Sequence, residues 1–192
     1  MTAATTSGLR RRTEPVWRRW PTALALVLTA PDFIVGTNSS DSAVGSFGQA
    51  FLLLPLLYLV IAKVGRRGVT WPVVFAGLLL MTALRVQDVV APIVVIVAVS
   101  PPVLVWGAVE RELHTPGPFR VQALGMAGFA VLAVAGLTVD VDLGRYLVAA
   151  AWFLHGVWDF VHLWKDRVVA RSFAEWCGVI DVLVAAQLVL LA

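Results

Sequence analysis

Cysteine is nearly missing from this 192-residue chain: Cys177 stands alone, so no internal disulfide can staple the fold. Charge is scarce as well. Asp, Glu, Lys and Arg make up 14% of the residues while apolar types reach 59%, against roughly 25% and 45 to 50% in soluble domains. That balance excludes an ordinary water-soluble domain and indicates an integral membrane protein. No phosphate-binding loop, dinucleotide fingerprint or nucleophile elbow occurs, so a bound nucleotide has no motif behind it. Lysine is also rare, at two against thirteen arginines, a bias that fits a GC-rich bacterial genome and hence a bacterial inner membrane. The net charge of +3 does not point to a nucleic-acid partner, because the basic residues sit in short clusters beside apolar spans and not along one face.

What is present in abundance is apolar sequence of spanning length. Crossing about 30 Å of hydrocarbon takes about 20 helical residues. Seven segments approach that length: 21–37, 45–64, 69–87, 89–109, 120–139, 144–164 and 177–192, the first and last being short. The expected fold is therefore all-α, a polytopic bundle of seven transmembrane helices, with residues 1–20 a basic cytoplasmic arm and 21–192 one transmembrane domain. Trp17 and Trp20 are placed to anchor at the interface. A cleaved signal peptide is not expected, since no small-x-small site follows the run at 23–28 and Pro31 stands where processing would occur. The third and fourth segments meet at Arg85 to Asp88 with almost no loop, which leaves a tight re-entrant hairpin open there. Ser100-Pro101-Pro102 predicts a kink in the fourth segment that frees the carbonyls of Val97 and Ala98. The small residues Gly125, Gly128, Ala135 and Gly136 suit close helix packing.

Charge distribution orients the bundle. With the N-terminus inside, Arg10, Arg11, Arg12, Arg18, Arg19, Lys63, Arg66, Arg67, Arg111, Arg120, Lys165, Arg167 and Arg171 fall on the cytoplasmic side. Only Arg85 and Arg145 fall outside, with Asp88, Asp140 and Asp142 solvated beside them and Asp32 in reach of Arg85. This positive-inside bias supports both the count of seven and a C-terminus outside.

Against that background the sixth segment carries His155, Asp159 and His162, and the seventh carries Asp181. A charge in hydrocarbon costs roughly 2.5 to 3.5 kcal/mol on insertion scales, so such a group marks a functional site by default. At 100° per residue Asp159 lies about 40° from His155 and His162 about 20° to the other side, which puts all three on one stripe. His155 and His162 are about 10.5 Å apart along the axis, so adjacent pairs are the better ligands for one ion. Asp159 with His162 has the carboxylate-x-x-His spacing of helix-bundle metal sites. Asp159 and Asp181 each lie five residues from a tryptophan at the inner end of antiparallel segments, which sets them at one depth. His155, Asp159, His162 and Asp181 are thus the candidate ligands for zinc, iron or manganese, with Asp159 and Asp181 the candidate catalytic acids and bases. Cys177, one turn from Asp181, is either a further ligand or a small packing residue. Haem is not expected, since His114 is in a loop and two histidines on opposing helices are lacking. Glu110 is the one loop acid placed to join the site late. Trp152, Trp158, Phe160 and Trp164 read as lipid-facing or interfacial aromatics.

The pattern Trp152-Phe-Leu-His155-Gly-Val-Trp158-Asp159-Phe-Val-His162, followed by Cys177-Gly-Val-Ile-Asp181, resembles an uncharacterised family of small bacterial membrane proteins. Their signature is W-L-L-H-x-x-W-D-x-x-H-H, then C-x-x-x-D, and the resemblance covers about the last 40 residues. This chain has Leu163 at the second histidine. His155-Gly156-x-x-Asp159 is also similar to part of the P-H-G-x-x-D-H signature of membrane carotene-cleaving oxygenases, which implies iron, although their other intramembrane histidines are missing here. Three function classes follow. The first is a metal-binding membrane protein, as an enzyme on a lipid or isoprenoid that enters from the bilayer. The second is a small carrier or proton-coupled permease, and the third a structural or assembly subunit whose His/Asp cluster is only a buried polar clamp. The expected topology is directly measurable: alkaline phosphatase fused after Ala192 will be active and fused after Arg67 inactive, and the reverse pattern would defeat the assigned orientation.

Overall fold

A computed structural model describes residues 16–35, 40–87 and 92–190. The arm up to residue 15, the junction at 88–91, and the side chains of Asp32 and Arg85 lie outside the described residues. Eight α-helices and no strand are found among them: α1 Trp20–Val35, α2 Ser40–Phe51, α3 Leu53–Val64, α4 Thr70–Gln87, α5 Pro92–Val109, α6 Pro118–Thr138, α7 Val141–Lys165 and α8 Arg171–Leu190. Helices α2 and α3 meet end to end at Leu52 and continue as one apolar stretch, Ala43–Val64.

Four stretches are long and apolar enough to cross a membrane, Ala43–Val64, Pro118–Thr138, Val141–Lys165 and Arg171–Leu190, with 22, 21, 25 and 20 residues. At about 1.5 Å per residue each spans the roughly 30 Å of hydrocarbon. The apolar helices Trp20–Pro31, Arg67–Ala83 and Val94–Val109 are shorter. The exterior suits lipid. Phe75, Leu79, Leu124, Val131 and Leu190 are all more than 60% exposed, large apolar side chains of a kind that a water-soluble bundle mostly buries.

The last helix begins at Arg171, six residues before the apolar run that predicts it. Its first turns carry Glu175, which accepts hydrogen bonds from Thr22 Oγ1 at 2.6 Å and Arg19 Nη1 at 3.3 Å. Hydropathy alone reads these polar turns as loop, whereas the contacts tie the start of α1 to the start of α8. Trp20 also packs there, its ring 5.8 Å from that of Trp71. Helix α5 runs unbroken through Pro101 and Pro102, and the Ser100 hydroxyl donates to the Ile96 carbonyl one turn back.

Helix α7 is the centre of the bundle, with α8 on one side, α6 on another and α2 across it, while α3 packs on α6. Its start is capped by Asp140, whose Oδ1 accepts from Leu143 N at 3.0 Å, and its end by Asp166 in the left-handed conformation. Close approach of α6 and α7 depends on glycine. A Cβ at Gly144 would sit 2.4 Å from the Gly136 carbonyl oxygen, and one at Gly136 would sit 2.8 Å from Val148. Gly125 similarly admits the Trp158 ring, whereas a Cβ at Gly128 would meet nothing within 4 Å. Beside a small cluster at Leu59, Phe119 and Ala123, two larger buried clusters fill the interior, one around Phe51, Val148, Trp152 and Leu188 and one around Leu57, Tyr58, Ile61 and Phe173. The polar site lies between them. Gly144→Ala is expected to destabilise the folded protein by about 1 to 3 kcal/mol through overpacking, while Gly128→Ala should be neutral or stabilising by up to about 1 kcal/mol. Thermal melting in detergent distinguishes the two, and equal behaviour would refute the α6–α7 packing.

A buried His/Asp/Cys centre between two helices

The site is built where α7 crosses α8. Gly156 on α7 faces Asp181, and Gly178 on α8 faces Asp159: added Cβ atoms there would lie 3.1 Å from the Cβ of the opposing aspartate. Any larger residue at either glycine would push one carboxylate-bearing backbone away from the other. The two glycines therefore let acids from different helices share one small volume.

Four side chains converge there. His155 and Asp159 come from successive turns of α7, Cys177 and Asp181 from successive turns of α8, and one ligating atom from each lies within 4.8 Å of all the others. His155 Nδ1 is 2.7 Å from Asp181 Oδ2 and 3.5 Å from Asp159 Oδ2. Cys177 Sγ donates weakly to Asp181 Oδ1 at 3.9 Å. None of the four is more than 1% exposed. Beyond the contact with His155, Asp159 Oδ2 accepts no hydrogen bond, and His155 Nε2 has no hydrogen-bonding partner either.

A fifth residue, Tyr58 on α3, donates its hydroxyl to Asp159 Oδ1. It is 1% exposed. Its ring lies 5.6 Å from the His155 ring, which Phe51 and Phe129 flank on other sides at 5.7 and 5.2 Å. The imidazole thus has carboxylates on one edge and aromatic rings around the rest. Sequence reasoning missed Tyr58, although a lone phenol inside the apolar run 51–64 carries the same warning as an intramembrane acid, a polar atom that needs a partner.

His162 falls outside this quartet, and its bonding explains why. Trp158 Nε1–H donates to Gln122 Oε1 at 3.2 Å, which fixes the amide so that Gln122 Nε2 faces His162 Nε2 at 2.9 Å. The amide nitrogen can only donate, so His162 Nε2 accepts. His162 Nδ1 then carries the proton that it donates to the Trp158 carbonyl at 2.8 Å. Both ring nitrogens are committed to a neutral histidine, which leaves no lone pair for an ion. Tyr58 packs between the two histidines, with its ring 5.1 Å from His162.

Two other expectations are corrected. Glu110 does not approach the centre: with Glu112 it binds the ammonium of Lys63, whose side chain is 2% exposed and also lies over the Trp106 ring at 4.7 Å. Trp152 and Trp158 point inward, because their indole N–H groups find the Phe47 carbonyl at 3.2 Å and Gln122. Trp164, 82% exposed, and Phe160, 39% exposed, do face outward.

A cavity of about 370 Å³ touches the centre at one residue. Cys177 stands in its wall, and Phe47, Leu53, Leu54, Met81 and Ile180 make it apolar. No protein-family model, curated protein or solved structure matches the chain, so its chemistry has to be argued from these contacts.

The Lys63 clamp sets a pH dependence. Hydrogen bonds from Lys63 and the Trp106 indole hold the Glu110 carboxyl below its ordinary range. A carboxylate depressed in the folded state contributes stability that is complete above its unfolded pKa, about 4.3, and is lost as pH falls through the lower folded value. Wild type should therefore melt above Glu110→Gln at pH 7, with the gap closing on acidification below about pH 4. A gap no smaller at pH 3 than at pH 7 would show that the clamp is not ionic.

Proposed function

We propose that this protein is a seven-span inner-membrane protein whose buried centre binds one divalent transition metal through His155, Asp159, Asp181 and Cys177, and that the centre acts on a lipophilic molecule that enters from the bilayer. The observation that carries the reading is the convergence of nitrogen, oxygen and sulfur ligand atoms from two helices within 4.8 Å at full burial. Charge balance supports it. Two carboxylates removed from water need compensation, and one imidazole cannot balance both. Among the described residues no lysine or arginine forms an ion pair with Asp159 or Asp181: Lys63 is held by Glu110 and Glu112, and Arg67 by Asp166. A divalent cation offsets the two carboxylates, and the Cys177 thiolate then adds one negative charge to the centre.

The donor set of one imidazole, two carboxylates and a thiol suits zinc or iron better than manganese, because thiolate favours the softer ions. Tyr58 orients Asp159 by its hydrogen bond, and the aromatic rings around His155 keep water out. With three of the four donors as ligands and one position open, a bound metal would supply Lewis-acid polarisation of an oxygen, and the aspartate left unligated would hold a proton. The apolar cavity that ends at Cys177 supports a lipid or isoprenoid as the partner molecule. The short helices α1, α4 and α5 complete the seven spans, and the arginine-rich end is the cytoplasmic one by the positive-inside bias.

Elemental analysis of purified protein tests the centre. Wild type should carry about one zinc or iron per chain, and Asp159→Asn or Asp181→Asn should retain less than about a tenth of that, because asparagine keeps the shape and removes the ligand charge. His162→Gln should leave the metal in place. Absence of metal in wild type purified without chelator, or full retention in Asp181→Asn, would overturn the assignment in favour of a polar clamp.

A further inference from the structure

A second cavity, also about 370 Å³, opens at the arginine-rich end between the start of α6 and the end of α7. It shares no wall with the His/Asp/Cys centre. Its floor is the Gln122–His162 pair, 2% and 9% exposed, and its charged residues are Lys165 and Arg167. No carboxylate lines it.

The loop between α7 and α8 explains how two cations come to face the same space without an acid. Asp166 lies between them in sequence but sits in the left-handed conformation, with φ 50°. Its carboxylate is turned to Arg67, and Arg171 lies 4.0 Å from it on the same side. Arg67 Nη1 also donates to the Asp166 carbonyl at 3.0 Å. The turn thus sorts its charges: the acid goes to the arginines of neighbouring segments, and Lys165 and Arg167 are left with no ion pair among the described residues. The start of α6 at Gly117–Pro118 forms part of the rim and has no side-chain cap, which adds the partial positive charge of a helix N-terminus to that of the two cations.

The remaining wall is apolar. Val121 and Val161 line the cavity while 48% and 38% exposed, so its apolar wall reaches the outer surface of the bundle. A basic, hydrogen-bonding head region that runs into an apolar outer face has the two-part chemistry of a membrane amphiphile. We infer that this cavity binds a phosphate-bearing lipid, with Lys165 and Arg167 on the phosphate and the acyl chains along Val121 and Val161. Two cations and the first turn of a helix suit the several oxygens of a phosphate better than a single carboxylate. The site is independent of the metal centre, since none of the four proposed ligands lines it.

The test uses the full chain in an uncharged detergent with three soluble probes: dihexanoyl phosphatidic acid, dihexanoyl phosphatidylcholine and inorganic phosphate. At about ten times its Kd the phosphatidic acid should raise Tm by about 3 to 6 °C, and phosphatidylcholine, whose own ammonium offsets the phosphate, should do markedly less. The double variant Lys165→Gln/Arg167→Gln should weaken phosphatidic acid binding by at least about tenfold, with its metal content and unliganded Tm unchanged because both side chains are exposed and unpaired. Val161→Trp, which fills the apolar side of the cavity, should weaken binding with the cations intact. The inference is overturned if phosphatidic acid produces no shift, or if the double variant binds it as wild type does. It is equally overturned if inorganic phosphate alone gives the whole shift, which would make the occupant a free anion.

Discussion

Placing two carboxylates at full burial inside a lipid-embedded helix pair is the constraint on which the rest of this structure depends. In water Asp159 and Asp181 would cost nothing to keep apart. In the bundle each loses its hydration, and each ionised group then needs a counter-charge or a donor within a few ångströms. The surrounding residues meet that need in order. His155 reaches Asp181 at hydrogen-bond distance, Tyr58 donates to Asp159, and Cys177 turns its thiol toward Asp181. One acceptor atom and one ring nitrogen remain without hydrogen bonds. With both acids ionised, protein groups alone leave the balance short by about one positive charge, which a proton on one carboxylate or a bound cation supplies.

The backbone is arranged to make this gathering possible. Side chains as short as aspartate can meet across two helices only where the axes approach closely, and Gly156 and Gly178 supply that approach at the level of the acids. Glycine costs a helix roughly 0.5 to 1 kcal/mol relative to alanine, a cost borne twice on adjoining turns. The same device recurs between α6 and α7 at Gly136 and Gly144, one helix away and toward the opposite end. Helix α7 is thus held tightly on two sides. Its ionisable stripe is fixed by packing, so the positions of His155 and Asp159 do not depend on the polar contacts alone.

Much of this was legible in the residues themselves. The helical class, the pairing of α7 with α8 and the common depth of Asp159 and Asp181 follow from hydropathy, spacing and antiparallel direction, all of which are local or nearly so. The membership of the centre was only partly legible. His155, Asp159 and His162 share one face at ideal helical spacing, yet His162 turns to Gln122, a residue 40 positions away that no periodicity links to it. Tyr58 is more than 100 residues from Asp159 in sequence, and its approach depends on how α3 packs across the bundle. Cys177 was ambiguous because a small apolar-looking side chain packs as readily as it ligates. Lys63 reads as a loop-side positive charge, and only the fold shows that Glu110 and Glu112 come back to cover it. Spacing along one helix predicts which residues share a face; it carries no information about which neighbour that face meets.

The separate fates of the two histidines bear on how the centre is reached. His162, Gln122 and Trp158 form a closed hydrogen-bonded layer in which every polar atom named has a partner, and this layer lies between the arginine-rich end and the centre. A water or ion entering from that end would have to break the layer, at a cost of about 1 to 3 kcal/mol for each buried group left unsatisfied. The cavity at Cys177 has a mainly apolar wall, with Ser46, Thr82 and the unpartnered Trp176 indole N–H as its polar points, so a lipophilic molecule meets less of such a barrier there. The two approaches to the centre therefore differ in polarity: hydrogen-bonded Gln122, His162 and Trp158 toward the arginine-rich end, and a mainly apolar cavity wall at Cys177.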